Sequence, residues 1–290
     1  MTQTAPTSSS IQRVTVLGTG VLGAQIAFQT AYSGKQVTAY DISQDALTTA
    51  RATFDGLAAT YVKEVQGAAD GKAQQTRDGL TLTADLAAAV AEADLVIEAI
   101  PEVLDLKRET FAKINDLAPA STIFATNSST LLPSAISDAT GREDRFLALH
   151  FANQIWRANT AEVMGTPKTD PAVFDRVVEF AREIGMVPIP IHKEKAGYVL
   201  NSLLVPLLGA ALELAAGGYA EPKDVDNVWR IATGSPVGPF QLYDIIGLIT
   251  PYNIMSHGDD DARKLGQWLK VNYIDKGKTG IAAGEGFYKY

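Results

Sequence analysis

Residues 14–41 constrain the fold more than any other stretch of the chain. Val14 to Leu17 is a short β-branched run that leads into Gly18-Thr19-Gly20-Val21-Leu22-Gly23, a G-x-G-x-x-G string. Val21 to Tyr32 then has helical spacing, with apolar residues at Val21, Leu22, Ile26, Ala27 and Ala31, and Gly34 supplies a C-terminal stop. Gln36 to Tyr40 reads as a second strand, and Asp41 follows it. Strand, helix and strand in so short a span form a βαβ unit, which implies a parallel sheet with a right-handed crossover.

In that setting each glycine has a physical task. Gly18 permits a tight turn, Gly20 lets the backbone approach a pyrophosphate, and Gly23 lets helix and strand pack closely. The helix start at Val21 and Leu22 offers unpaired N–H groups and a partial positive charge to phosphates. Asp41, placed at the end of the second strand, can accept hydrogen bonds from both ribose hydroxyls of an adenosine and would repel a 2′-phosphate. Ile42 and Ser43 bring no cation to rescue such a phosphate. NAD is therefore expected as cofactor, in preference to NADP.

The rest of the chain extends the pattern. Helices are expected at Ala46 to Lys63, Ala84 to Glu92, Leu106 to Leu117 and Asp170 to Ile184, the last with Asp170 as N-cap and Pro171 at its first position. Strands are expected at Leu95 to Ala99, Thr122 to Thr126, Phe146 to His150, Ala161 to Met164 and Val187 to Ile191. Gln66 to Gly79 is polar and contains glycine, so it reads as a turn or mobile excursion. Beyond about residue 192 strands fade and helical patterns dominate. The expected architecture is α/β: a loose tail at 1–10, a doubly wound sheet domain of Rossmann type at 11–192, and a smaller all-α domain at 193–290.

Composition narrows the classes of function. The absence of cysteine excludes disulfides, cysteine-ligated zinc, iron–sulfur clusters and a thiol nucleophile, and no metal site is expected. With 25 basic and 33 acidic residues the net charge is −8, a poor footprint for a nucleic-acid partner. Met1 to Ser10 lack the marks of a secretory or transit segment, so a cytoplasmic location is expected. Tyr198 to Ala216 is strongly apolar, but Asn201, Ser202, Pro206 and Glu213 make it a buried helix and not a membrane span. So much apolar surface in a small helical domain suggests a homodimer through that domain.

The chain has three histidines. His150 ends an apolar strand, where ligands of open α/β sheets bind. His192 stands among Lys193, Glu194 and Lys195, and His257 in a Gly/Asp-rich turn, so both read as surface residues. Glu162 begins the strand after His150, and a hairpin-like return could place its carboxylate beside the imidazole, fixing the tautomer and stabilising the imidazolium. From spacing alone this pairing is one option among several.

Seven segments then appear together and in order: Val14–Gly23, Ala93–Lys107, Thr126–Leu131, Asp144–Asn153, Ala196–Pro206, Gly234–Phe240 and Gly284–Tyr288. Through them the chain resembles the 3-hydroxyacyl-CoA dehydrogenases, including the 3-hydroxybutyryl-CoA enzymes, over residues 11–290. The resemblance implies NAD-dependent, reversible oxidation of an L-3-hydroxyacyl-CoA, of short chain. It implies that His150 is the general base, that Glu162 orients it, and that Ser129 and Asn201 hydrogen-bond the reacting oxygen and the base. It places Glu102, Lys107, Asn127 and Asn153 around the cofactor.

The family usually has His-Phe-Phe-Asn-Pro where this chain has His150-Phe151-Ala152-Asn153-Gln154, and Trp156, Arg157 and Asn159 follow. The helix after Asp41 offers only Arg51 and Lys63, where relatives that use CoA carry several lysines. Anion binding would then draw on Lys72, Arg77 or Arg157. Alternatively an Arg-containing rim at 154–159 grips a small carboxylate, which makes a free 3-hydroxy acid or polyol acid the second substrate class. A lysine acid–base group at Lys193 or Lys195, and a non-catalytic NAD-binding structural protein, are the remaining alternatives.

Overall fold

A computed structural model describes residues 10–290; of the tail read at 1–10, residues 1–9 lie outside the described residues. The chain forms two compact units, one ending at Val199 and the other running from Leu200 to Tyr290.

The first unit is built on eight strands. These are β1 (Arg13–Leu17), β2 (Gln36–Tyr40), β3 (Thr81–Thr83), β4 (Leu95–Glu98), β5 (Ile123–Thr126), β6 (Phe146–Phe151), β7 (Thr160–Gly165) and β8 (Val187–Ile191). Its helices are α1 (Val21–Tyr32), α2 (Gln44–Glu64), α3 (Lys72–Gly79), α4 (Leu86–Val90), α5 (Leu104–Asn115), α6 (Ser134–Ser137) and α7 (Pro171–Glu183). The sheet order is β3-β2-β1-β4-β5-β6-β7-β8. Neighbours from β3 to β6 are parallel, β7 runs antiparallel to β6, and β8 is parallel to β7.

Two cores follow from the two-residue period of the strands. Val14, Val16, Leu95, Ile97, Ile123, Ala125, Leu147 and Leu149 pack on one face with α1, α2 and α7. Leu17, Val96, Phe124 and Phe146 face the other way, onto Phe111, Ile114 and Ile136. Strands buried on both faces explain the continuous apolar runs in the sequence. The chain winds outward from β1 through β2 to β3, then returns to continue from β4. The crevice for a ligand therefore opens beyond the carboxyl ends of β1 and β4.

The turn expected over Gln66 to Gly79 is instead partly helical. α3 buries Ala73 and Thr76, its Lys72 ammonium lies 4.0 Å from the centre of the Tyr32 ring, and Arg77 bridges to Asp55 and Asp78. These tertiary contacts hold a segment whose own polarity gives no helical stripe. The edge strand β3 also went unanticipated, being three residues long and partly exposed.

The second unit is all helical in its main elements: α8 (Leu200–Ala216), α9 (Pro222–Thr233), α10 (Pro239–Ile246), α11 (Ile249–Ser256) and α12 (Asp260–Asn272). Leu208, Ala211, Leu212, Phe240, Tyr243, Leu248 and Leu269 form its core. No helix among the described residues is long and apolar enough to cross a membrane.

Candidate active site

The reversal between β6 and β7 builds the centre of the site. In their antiparallel register His150 lies directly opposite Glu162. Side chains of such cross-strand pairs project from the same face, a few ångströms apart. His150 Nδ1 is 2.9 Å from Glu162 Oε2, and the two residues are buried at 5% and 4% exposure. Ser129 Oγ, in the loop after β5, is 3.0 Å from His150 Nε2. A carboxylate facing Nδ1 favours the tautomer with its proton there, so Nε2 presents a lone pair toward Ser129.

Two residues outside the anticipated set complete this cluster. Tyr198 stacks on His150, with ring centroids 4.4 Å apart and planes at 13°. Its hydroxyl donates to the Ser128 carbonyl at 2.6 Å. The Val199 N–H donates to Glu162 Oε1 at 2.8 Å. Asn201 belongs to the helical unit, in the first turn of α8.

The glycine loop has the geometry that a bound dinucleotide needs. Gly18 has φ +94°, and a Cβ there would meet the Ala99 carbonyl oxygen at 2.7 Å. A Cβ on Gly23 would drive into the Gly18 carbonyl. Gly20, by contrast, has open space around its Cβ position, and as N-cap of α1 it brings no side-chain acceptor. The first intrahelical bond is Ala24 N–H to Gly20 C=O at 2.9 Å, which leaves the amides of Val21, Leu22 and Gly23 ahead of the ladder. These residues line a cavity of roughly 270 Å³ with Ala99, Ile100, Glu102, Lys107, Asn127 and Ser129. One cavity thus reaches from a phosphate-binding helix start to the hydroxyl that touches His150. Open backbone, free amides and no side-chain competitor fit a pyrophosphate.

The expected cofactor residues divide into two groups. Glu102, Lys107 and Asn127 line the cavity, whereas Asn153 is exposed and outside its lining. Asp41 stands one residue past β2, and its Oδ2 accepts from the Thr19 N–H at 2.8 Å and the Thr19 hydroxyl at 2.6 Å. Asn127 Oδ1 accepts from the Phe151 N–H at 3.0 Å, tying the ends of β5 and β6 together.

Lys107 is only 1% exposed, and its ammonium is 2.5 Å from Glu98 Oε1 and 3.3 Å from Glu102 Oε2. Glu98 is fully buried and also accepts from Thr126 Oγ1 at 2.6 Å and the Ile100 N–H at 2.9 Å. Burial pushes its carboxyl up, opposed by the Lys107 ammonium and those two donors. For Glu102, burial raises the carboxyl, but the Ser128 hydroxyl, the Thr130 N–H and Lys107 outweigh it and hold it down to about 2. Sequence reasoning missed Glu98, Tyr198 and Val199. Their signals were an acid closing the apolar run Leu95-Val96-Ile97 and an aromatic inside the Ala196–Pro206 segment.

The histidines read as surface residues, His192 and His257, are both exposed. Arg157 is paired with Glu64 at 2.8 Å, and the Trp156 indole donates to the same carboxylate at 2.6 Å.

A mostly parallel sheet with its switch point at a glycine loop, beside a buried imidazole, has the make-up of a Rossmann-type dinucleotide-dependent oxidoreductase. The family is shown by two domain models. The 3-hydroxyacyl-CoA dehydrogenase NAD binding domain matches residues 13–195, and the C-terminal domain of the same family matches residues 197–290. The chain belongs to the 3-hydroxyacyl-CoA dehydrogenase family, and NAD is its cofactor. The mitochondrial hydroxyacyl-coenzyme A dehydrogenase of Rattus norvegicus is 37% identical over 97% of this chain and 91% of its own length. A solved structure of a diketoreductase, described by its substrate-directed dual catalysis of dicarbonyl compounds, is 64% identical with a TM-score of 0.96 over 98% of this chain and 100% of that one. The (S)-3-hydroxybutyryl-CoA dehydrogenase of Ralstonia eutropha is 27% identical with a TM-score of 0.84, covering 97% and 99%.

Proposed function

We propose that the protein interconverts a 3-hydroxy compound and the matching 1,3-dicarbonyl compound, with His150 as the acid–base group. The observation that carries this reading is the clamped imidazole: Glu162 on Nδ1 at 2.9 Å and Ser129 on Nε2 at 3.0 Å, with Ser129 lining the glycine-loop cavity. When bound, NAD supplies the hydride acceptor for oxidation and, reduced, the donor for reduction. In oxidation His150 Nε2 takes the substrate hydroxyl proton as the carbonyl forms. Glu162 keeps the other ring proton on Nδ1 and offsets the charge of the imidazolium. In reduction the protonated ring returns its Nε2 proton to the ketone oxygen. Ser129 Oγ and Asn201 are each assigned a hydrogen bond to that same oxygen, which polarises it without consuming the proton. Asp41, Glu102, Lys107, Asn127 and Asn153 are assigned to the cofactor. Neutral His150 is the competent form in oxidation and the imidazolium in reduction.

An L-3-hydroxyacyl-CoA of short chain is the first substrate class, on family grounds. A second reading is a small dicarbonyl or 3-hydroxy acid without CoA; its support is the shortage of uncommitted cations for nucleotide phosphates and not a carboxylate grip by the 154–159 rim, whose Arg157 is bound to Glu64. Of the cations that could meet nucleotide phosphates, Arg77 is bound to Asp55 and Asp78, Arg157 to Glu64, and Lys72 is held over Tyr32, which leaves the exposed Arg51 and Lys63 of α2. The diketoreductase likeness points the same way, and a 3-ketoacyl thioester is itself a 1,3-dicarbonyl. We further assign the sheet domain, residues 11–192, to the cofactor. The helical domain, 193–290, is assigned to substrate and to a homodimer contact, in a protein acting in the cytoplasm.

The test follows NADH oxidation with acetoacetyl-CoA, acetoacetate and pentane-2,4-dione in parallel. Turnover of the small dicarbonyls supports the second reading, and turnover confined to acetoacetyl-CoA removes it. His150→Gln should lower kcat by at least ~100-fold. Near-normal turnover in that variant would discard the imidazole mechanism and leave Lys193 or Lys195 to be tested.

A further inference from the structure

The segment 195–199 holds His150, Glu162 and the Ser129 loop at once. The Tyr198 ring covers one face of the His150 imidazole at 4.4 Å and 13°, close to parallel. The Tyr198 hydroxyl reaches the Ser128 carbonyl at 2.6 Å, one residue from Ser129. The next amide, Val199 N–H, donates to the carboxylate oxygen of Glu162 that does not face the ring. Tyr198 is 1% exposed, and its backbone has φ +53°, a conformation that non-glycine residues rarely adopt. The turn is closed by Tyr198 N–H to Lys195 C=O at 3.0 Å and anchored by the Lys195 N–H on Met164 Sδ at 3.2 Å. An outlier of this kind persists only where the surroundings impose it, and such residues gather at working sites.

From these contacts we infer that Tyr198 is a positioning residue for hydride transfer, setting the plane of the His150 ring by stacking. The inference rests on the proposed role of His150. An imidazole with partners on both nitrogens can still rock about the line joining them, and a flat ring against its face stops that motion. The Val199 amide does the same for the Glu162 carboxylate by occupying its outer oxygen. Because the chain passes directly from Val199 into α8, the residues that steady the imidazole are also the covalent link between the two units.

The experiment compares wild type, Tyr198→Phe, Tyr198→Leu and His150→Gln, with active sites counted by NADH fluorescence titration. The readouts are kcat, the NADH Kd, and the primary isotope effect with NADH deuterated at the transferred position. Tyr198→Leu is expected to lower kcat at least tenfold, leave the NADH Kd within twofold, and raise the isotope effect as chemistry becomes rate-limiting. Tyr198→Phe keeps the flat face and is expected within threefold of wild type. If Tyr198→Leu does not fold, Tyr198→Met offers similar bulk without a flat face, and the same losses are expected of it. Wild-type kcat and isotope effect in the non-aromatic variant, beside an inactive His150→Gln, would overturn the positioning role and leave the imidazole mechanism standing. An active His150→Gln would instead remove the reading beneath it. A Tyr198→Phe variant as impaired as Tyr198→Leu would overturn stacking in favour of the hydroxyl.

Discussion

A lysine ammonium shut away from water must be answered by an anion, and Lys107 is answered by Glu98. Taking both charges out of water costs several kcal/mol per ion, and only the short contact and the further donors on Glu98 offset it. The arrangement leaves the Lys107 ammonium within reach of Glu102, whose Oε1 in turn accepts from Ser128 Oγ, from the N–H and hydroxyl of Thr130 and from the Leu131 N–H. One carboxylate therefore folds the turn that carries Ser129. Its pKa is depressed, so its contribution is complete above the unfolded value of about 4.3 and is lost as pH falls through the folded value. A Glu102→Gln variant should melt below wild type at neutral pH. That gap should shrink as pH drops below about 4.3 and close near the folded value of about 2; a gap independent of pH would show that the charge is not what holds the turn. Single residues differed in how openly the sequence displayed them. Gly18, Gly20, Gly23 and Asp41 were legible because their spacing around a strand and a helix is itself the signal. Glu98 was not, because an acid at the end of a buried strand makes sense only beside a lysine nine positions on.

At the scale of elements, polar anchors do what apolar packing alone would not. In the helical unit Asp226 and Asp244 are buried at 2% and 1% exposure. Asp226 accepts from the Phe240 and Gln241 amides and from the Tyr288 hydroxyl, at 2.8, 3.1 and 2.8 Å. Asp244 accepts from the Phe287 and Tyr288 amides at 2.8 and 2.9 Å and from the Tyr290 hydroxyl at 3.0 Å. The C-terminal Gly284–Tyr288 segment is thereby latched to α9 and α10, and Gly286 lies so close to Asp244 that a side chain would collide with its carboxylate. Asp226→Ala strands three donors and should cost at least about 3 kcal/mol. Urea unfolding measures it, and a change below about 1 kcal/mol would mean that the latch contributes little. This tail was quoted as a family motif, yet its physical reason needed the fold, since the partners lie more than forty residues apart. Elements with strong local signals, such as α1 and α7 with its Asp170 cap, were readable in advance; α3 was not, because its helicity depends on neighbours.

For the whole molecule, fold class and family were within reach of the sequence, because β-α alternation and seven ordered motifs are redundant signals. Substrate identity was not, because charges such as Arg157 and Arg77 look free in a sequence and are committed in the structure. The helical unit exposes Leu203, Val228, Ile231 and Ile254 at 70, 70, 84 and 55%. Apolar surface of that kind supports the proposed second copy of the chain. Sedimentation at micromolar concentration should give twice the monomer mass of 30.9 kDa, and a monomer would remove the proposal. The reversal between β6 and β7 has a wider implication. Acid and base are matched by a ladder of backbone bonds, while the eight residues between the two strands (152–159) take no part in the pairing. Within that loop Ile155 is buried in the core, the Asn159 carbonyl accepts from the Val187 N–H and Asn153 is assigned to the cofactor, so the exposed side chains of Gln154, Arg157 and Ala158 are the ones that can change without touching the His150–Glu162 register. A scaffold wired in this way lets its choice of molecule drift while its reaction stays fixed, and those three exposed positions are where a protein engineer should begin.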